Sequence, residues 1–152
     1  MKIFVGIMAL AGSLLASPAT ARPCTSVSAV GIWTLVSIKA AEPGVEEFYK
    51  TAPNEVMRFT ATGSFMYLAS NRPFSASEAG QRLDAADARD GTSYRYSMGA
   101  AGGMMILRQG TPFQAFRCEI ADRVEGGARP GDMVLSNAPG AAMLRRVQRK
   151  VK

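Results

Sequence analysis

The sequence has no histidine, and its 152 residues include only two cysteines and one tryptophan. Without histidine, the chain lacks the side chain whose ordinary pKa lies nearest neutrality and which most often binds transition metals. Catalytic sites that pair serine or cysteine with histidine are therefore excluded. Carboxylate pairs could still transfer protons, but the acids occur in patterns typical of solvated surfaces. We expect no catalytic residue and no cofactor.

Motifs for metal ions and for phosphate groups are also lacking. Cys24 and Cys118 are too far apart in sequence for a CxxC redox or zinc motif. The acidic repeat at Asp84–Asp90 places one acid every third residue, as on one helix face, without the ligand order of a calcium loop. The glycines at Gly102–Gly103 stand between two predicted strands, which indicates a turn and not a phosphate-binding loop. The sequence therefore predicts no metal site.

Long apolar runs are absent after the first 21 residues, and those residues resemble a secretory signal peptide. Lys2 supplies a positive charge, Ile3–Leu15 form an uncharged apolar run, and Ala19–Ala21 offer a small-residue cleavage site. The run is short for a membrane span, although an uncleaved anchor is the alternative. Cleavage near Ala21 leaves residues 22–152 as one domain, which we expect to be periplasmic or secreted.

The two cysteines both lie in the predicted mature chain. In an oxidising compartment two such thiols most simply form a disulfide. A bridge between Cys24 and Cys118 would close a long loop and restrict the unfolded chain by roughly 4–5 kcal/mol. Two free buried thiols are the alternative interpretation.

The formal net charge is +6, and much of the excess lies near the C-terminus. The basic residues of this tail are Arg145, Arg146, Arg149, Lys150 and Lys152. Such a tail could make weak contacts with anionic envelope surfaces, but a solvated, frayed terminus is the favoured interpretation. Because the chain is predicted to be exported, we expect no nucleic-acid partner.

Alternating apolar and polar residues dominate the chain after residue 30 and predict β-strands. Eight strands are predicted, at Gly31–Lys39, Glu55–Thr60, Ser64–Ala69, Thr92–Met98, Met104–Gln109, Phe113–Val124, Asp132–Ser136 and Ala141–Val147. Short turns join most of them, which favours antiparallel pairing in sequence order. Eight such strands avoid exposed edges when the sheet closes on itself.

One segment, Ser75–Asp90, breaks the alternation. Ser75 or Ser77 can cap a helix there, and Glu78 follows Ser75 at the spacing of a capping box. The predicted fold is therefore all-β: an eight-stranded antiparallel up-and-down barrel with one short helix between strands three and four. We expect a monomer.

Apolar and aromatic side chains on the predicted strands are the candidates for a ligand-binding wall. The candidate lining residues are Met57, Phe59, Phe65, Tyr67, Tyr94, Tyr96, Met98 and Phe116. Methionines suit adaptable walls because the thioether chain is flexible and polarisable. The alternative is that these side chains simply fill the barrel, because an eight-stranded barrel is just wide enough to be packed or to hold one small ligand.

Several short motifs resemble those of bacterial lipocalin-like domain proteins, which have calycin-type barrels. The motifs are Gly31-Ile32-Trp33-Thr34-Leu35-Val36-Ser37 on the first strand, the hairpin Met57–Phe65, Tyr94-Arg95-Tyr96 before the Met104–Leu107 strand, and Met143–Val147 as the closing strand. The resemblance implies a barrel in which an arginine of the last strand packs across the tryptophan and closes one end. By that analogy Arg145 or Arg146 would lie on Trp33, and a ligand would enter at the other end.

The resemblance also implies a function: an exported protein that holds a small hydrophobic or amphipathic molecule in its barrel. Two alternatives stay open. One is a protein-interaction barrel such as a bacterial metalloprotease inhibitor, which acts through a free N-terminal segment and would have only Arg22-Pro23 available before Cys24. The other is a packed barrel with a structural role in the envelope.

Overall fold

The computed structural model describes residues 21–41, 43–90, 94–137 and 144–151, without the side chains of Pro43, Phe48 and residues 87–90. The predicted signal peptide therefore lies outside the described residues, except for Ala21. The same holds for residues 138–143, which include the last predicted turn and the start of the last predicted strand, and for Lys152.

The described residues form mostly β-structure, in one antiparallel sheet. Its strands are β1 (Ala21–Pro23), β2 (Gly31–Ala40), β3 (Asn54–Phe59), β4 (Phe65–Ser70), β5 (Tyr94–Met98), β6 (Gly103–Arg108), β7 (Thr111–Ala121), β8 (Met133–Asn137) and β9 (Leu144–Lys150). The eight longer strands follow the order β4-β3-β2-β9-β8-β7-β6-β5, and β1 pairs with β7.

The two ends of this strand order approach each other, so that the sheet is nearly closed into a barrel. The backbone N–H of Tyr96 on β5 donates to the carbonyl of Gly63, just before β4, at 2.8 Å. Ser64 and Arg95 form an isolated antiparallel bridge at the same place. The prediction of an all-β, antiparallel, barrel-like sheet of eight main strands is confirmed at this level.

Three helices of the described residues lie outside the sheet: α1 (Ser26–Ala29), α2 (Pro43–Lys50) and α3 (Ala76–Asp90). A single 3₁₀ turn at Ala100–Gly102 precedes β6. Helices α1 and α2 and the short strand β1 are not predicted from the sequence. No helix among the described residues is long and apolar enough to cross a membrane.

Helix α3 begins with a reciprocal cap and packs on the outside of the sheet. The Ser75 hydroxyl accepts from the Glu78 backbone N–H at 3.3 Å, and the Glu78 carboxylate accepts from the Ser75 N–H at 3.1 Å. These bonds satisfy backbone groups that a helix start otherwise leaves unpaired. Ala79 and Leu83 then bury their side chains against Val56 of β3. The helix therefore covers the outer face of β3 and β4.

The disulfide between Cys24 and Cys118 is present, as predicted. Both half-cystines are buried, and the Cys24 N–H donates to the Cys118 carbonyl at 2.9 Å. A Cβ at Gly102 would lie 2.3 Å from that same carbonyl, and Gly102 has a φ of +79°. The bridge and this close backbone approach therefore fix the N-terminal segment across β7.

Candidate functional site

The Trp33 end of the barrel is closed. Trp33 is 1 % exposed, and its indole Nε1–H donates to the Ala29 carbonyl of α1 at 2.8 Å. The Lys150 ammonium lies 5.3 Å from the indole ring centroid, within the range of a cation–π contact. Gly31 makes this approach possible, because its φ is +143° and a Cβ there would meet Lys150 Cε at 2.4 Å.

The prediction that Arg145 or Arg146 packs on Trp33 is wrong. Strand β9 continues to Lys150, and the β2–β9 register places Lys150 opposite Trp33. Arg145 lies outside the barrel, where its Nη1 donates to the Gly126 carbonyl at 2.8 Å. The four described basic residues of the tail, Arg145, Arg146, Arg149 and Lys150, are therefore part of the last strand. Arg149, for example, donates to Asp132 at 2.7 and 3.0 Å.

A cavity of about 350 Å³ lies inside the barrel. It is lined by Tyr49, Met57, Phe59, Phe65, Tyr67, Tyr94, Met104, Ile106, Phe113, Gln114, Phe116, Leu135 and Arg146. Trp33 is not among the lining residues. The volume is near the lower end of the range for small-molecule sites, roughly 300–1,000 Å³.

Six of the eight candidate lining residues border this cavity, and two do not. Tyr96 is buried in the core beside the cavity, where its hydroxyl donates to the Thr60 carbonyl at 2.8 Å. Its ring packs edge-on against Phe59 at 5.0 Å. Met98 is partly buried against the same core cluster. Both side chains pack with the inner core of the barrel, but they do not border the cavity.

Aromatic rings extend from the core to the opening of the cavity. The ring of Phe65 lies 5.0 Å from Phe59 and 6.3 Å from Tyr94, and Tyr94 in turn lies 6.0 Å from Phe113. Phe113 is 51 % exposed and Tyr67 is 42 % exposed, although both line the cavity. These two rings therefore form its rim, away from Trp33.

One wall of the cavity is polar and charged. Arg146 of β9 is 6 % exposed, and its Nη1 lies 3.8 Å from a carboxylate oxygen of Glu55, which is 1 % exposed. The second guanidinium nitrogen donates to the hydroxyl of Tyr49 on α2. The guanidinium carbon lies 5.1 Å from the Tyr49 ring centroid and 5.9 Å from that of Phe116. Arg146 is thus held by one carboxylate and two aromatic rings.

A buried glutamine completes this polar group. Gln148, two residues along β9 from Arg146, is fully buried and donates through Nε2 to Glu55 Oε1 at 2.6 Å. Three polar atoms of the group have no hydrogen-bond partner among the described residues: Glu55 Oε2, Arg146 Nε and Gln148 Oε1. Buried polar atoms in folded proteins are usually paired, so this group has unused hydrogen-bonding capacity.

The electrostatic environment of this wall acts on Tyr67. Burial raises the pKa of the Tyr67 hydroxyl, and the negative charge of Glu55 raises it further, while Arg146 lowers it by a smaller amount. The side-chain hydrogen bond between Tyr67 and Glu55 also raises this pKa.

The lining residues that the sequence analysis missed are Tyr49, Met104, Ile106, Phe113, Gln114, Leu135 and Arg146. Most lie on predicted strands, where alternation alone does not choose which residues reach the cavity. Tyr49 lies on helix α2, in a stretch where the sequence predicts neither a helix nor a strand. The basic side chain of Arg146 is the signal that could have identified it, because a basic residue is unusual at an inward position of an alternating strand.

Within the described residues, no group of three acidic or cysteine side chains is placed to hold a metal ion. Arg22 and Pro23 pair with Ile120 and Glu119 of β7, so they are not a free segment of the kind a protease inhibitor would use. Comparison of the chain with protein-family models, curated proteins and solved structures finds no match.

Proposed function

We propose that this chain is an exported, periplasmic or secreted lipocalin-like protein whose eight-stranded up-and-down barrel binds a small hydrophobic or amphipathic molecule. The observation that carries the proposal is the cavity of about 350 Å³, with its apolar and aromatic wall and one buried arginine. Pockets of this composition, with few polar groups at fixed positions, are typical of small-molecule sites.

The position of the cavity supports the proposal. Trp33, Lys150 and α1 close one end of the barrel, and the exposed rings of Phe113 and Tyr67 border the other. A ligand would therefore enter between these rings, with its apolar part among side chains such as Met104 and its polar part near Arg146.

The experiment is a titration of the purified protein with N-phenyl-1-naphthylamine, an uncharged apolar fluorophore, alongside mass spectrometry of molecules extracted from natively purified protein. Ile106→Phe adds a ring in the cavity, because Ile106 lines it and is buried. Leu107→Phe makes a similar enlargement at the next residue, which points away from the cavity. We expect Ile106→Phe to weaken probe binding at least about tenfold, as filling a cavity removes the ligand's contacts, and Leu107→Phe to leave it unchanged.

Absence of saturable probe binding, together with no extractable molecule, would contradict the proposal and favour a structural role in the envelope. Equal weakening by both substitutions would also contradict it, because the effect would then come from general destabilisation. Tryptophan fluorescence is not a suitable readout, since Trp33 does not line the cavity.

A further inference from the structure

We propose that the cavity selects an amphiphile with an uncharged polar head that both donates and accepts hydrogen bonds, in preference to one with a carboxylate or ammonium head. This inference rests on the proposed function, because it concerns the ligand of the same cavity. The head would lie at the polar wall formed by Arg146, Tyr49 and Tyr67, which line the cavity, with Glu55 buried behind Arg146. The alkyl chain would lie among the apolar side chains.

The positive charge of Arg146 at this wall is balanced by the negative charge of Glu55. Arg146 is the cationic side chain among the lining residues, and the Glu55 carboxylate lies 3.8 Å from its guanidinium. Both side chains are more than nine-tenths buried, so the pair is little screened by solvent. The two charges cancel, and an anionic head at Arg146 would be repelled by Glu55, whereas a cationic head at Glu55 would be repelled by Arg146.

The buried pair of Arg146 and Glu55 also has unused hydrogen-bonding atoms. Among the described residues, Arg146 Nε is a donor without an acceptor, and Glu55 Oε2 is an acceptor without a donor. The Tyr67 hydroxyl, which has a side-chain hydrogen bond to Glu55, is a further donor beside these atoms. A small shift of these side chains around a head that carries an N–H or O–H beside a carbonyl or hydroxyl oxygen would use both kinds of atom.

A second cationic side chain, Arg108, lies near the opening of the cavity. Arg108 lies over the Phe113 ring with 6.0 Å between the guanidinium carbon and the ring centroid. It is exposed to solvent and does not line the cavity. A charge in that position is screened by water, so it does not make the cavity selective for anions.

The test uses three ligands with the same ten-carbon skeleton: decanamide, decanoate and decylammonium. Each displaces N-phenyl-1-naphthylamine from wild-type protein at neutral pH, where the amide is uncharged and the other two are ionised. We expect decanamide to bind at least about tenfold more tightly than either charged ligand, because a charge enters a buried site only at a high cost unless it is paired.

Glu55→Gln should weaken or remove the preference for decanamide over decanoate. It keeps the shape of the side chain but leaves the charge of Arg146 uncompensated, so we expect the ratio of decanoate to decanamide affinity to rise by roughly tenfold or more. The matched control is Arg145→Gln, the neighbouring position on β9, whose side chain lies outside the barrel; it should leave the wild-type ratio unchanged. Near- and far-UV circular dichroism of each variant shows whether it is folded.

The wild-type ligand series decides the question even if Glu55→Gln does not fold. Equal or tighter binding of decanoate or decylammonium overturns the inference and leaves the proposed function intact. If the probe binds but none of the three ligands displaces it, the inference is also overturned and the proposed function is kept. If the probe does not bind either, both the inference and the proposed function fail.

Discussion

Removal of the disulfide between Cys24 and Cys118 is expected to lower the free energy of unfolding by about 4.7 kcal/mol at 25 °C. The two half-cystines are 94 residues apart in sequence. In the loop-entropy model, cross-linking a chain over 94 residues restricts the unfolded state by about 16 cal/mol/K, which gives this value. Little of the loss should come from broken native contacts, because the Cys24 segment is also paired with β7 through its backbone.

The assay is equilibrium unfolding in urea, with and without a reductant, followed by near- and far-UV circular dichroism. Reduction is preferable to substitution, since both sulfur atoms are buried and a smaller side chain would add a cavity term of its own. The double substitution of both cysteines by alanine is the control for reductant effects. Its unfolding curve should not respond to reductant.

The dependence of the unfolding free energy on urea concentration supplies a second criterion. A reduced chain unfolds to a more expanded state, so its m-value should increase as more surface becomes exposed. A loss smaller than about 2 kcal/mol with an unchanged m-value, after thiol titration has shown complete reduction, would refute the loop-closure argument.

Three further predictions concern the closed end and helix α3. Trp33→Phe removes a buried indole hydrogen bond and ring volume and should lower the unfolding free energy by about 2–4 kcal/mol in urea; a loss below about 1 kcal/mol would contradict its role in closing the barrel. Gly31→Ala should cost about 1–3 kcal/mol because its φ is +143°, and adding Lys150→Ala should not restore this loss, since the backbone strain remains. Ser75→Ala should raise the pKa of Glu78, which side-chain and backbone hydrogen bonds to Ser75 hold below the ordinary 4.5. Because the folded-state pKa of Glu78 is lowered, its stabilising effect is fully present above the unfolded-state pKa and is lost as the pH falls through the folded-state pKa. An NMR titration of Glu78 in both proteins measures the difference in pKa. The unfolding free energies of the two proteins should converge in acid.

The sequence predicts the strands of this fold better than its helices. Strands such as Tyr94–Met98 show clear alternation, and the structure places their apolar side chains on one face. Helix α1 has four residues and is defined by the reciprocal cap of Thr25 and Ser28, a signal too local for any periodicity. Helix α2 begins at Pro43 and Gly44, residues that favour a turn when only the sequence is considered.

Part of the candidate site could be predicted from the alternation of apolar and polar residues along the strands. Inward residues of the β3–β4 hairpin, such as Met57 and Phe65, follow directly from alternation once the core face is assigned. The role of Arg146 does not, because it depends on where the last strand ends. A strand that ends at Val147 brings an arginine near Trp33, whereas β9 ends at Lys150 and brings a lysine there instead.

The pairing of β2 with β9 has a consequence for how this protein acquires its fold. Thr34 and Arg149 are hydrogen-bonded across the two strands although they are 115 residues apart in sequence. Contacts of such high contact order form slowly, because a long segment must be brought together before any pairing stabilises it. The barrel cannot close until its last strand has been synthesised. Until then the apolar inner face stays uncovered, so the incomplete chain is the form most exposed to aggregation.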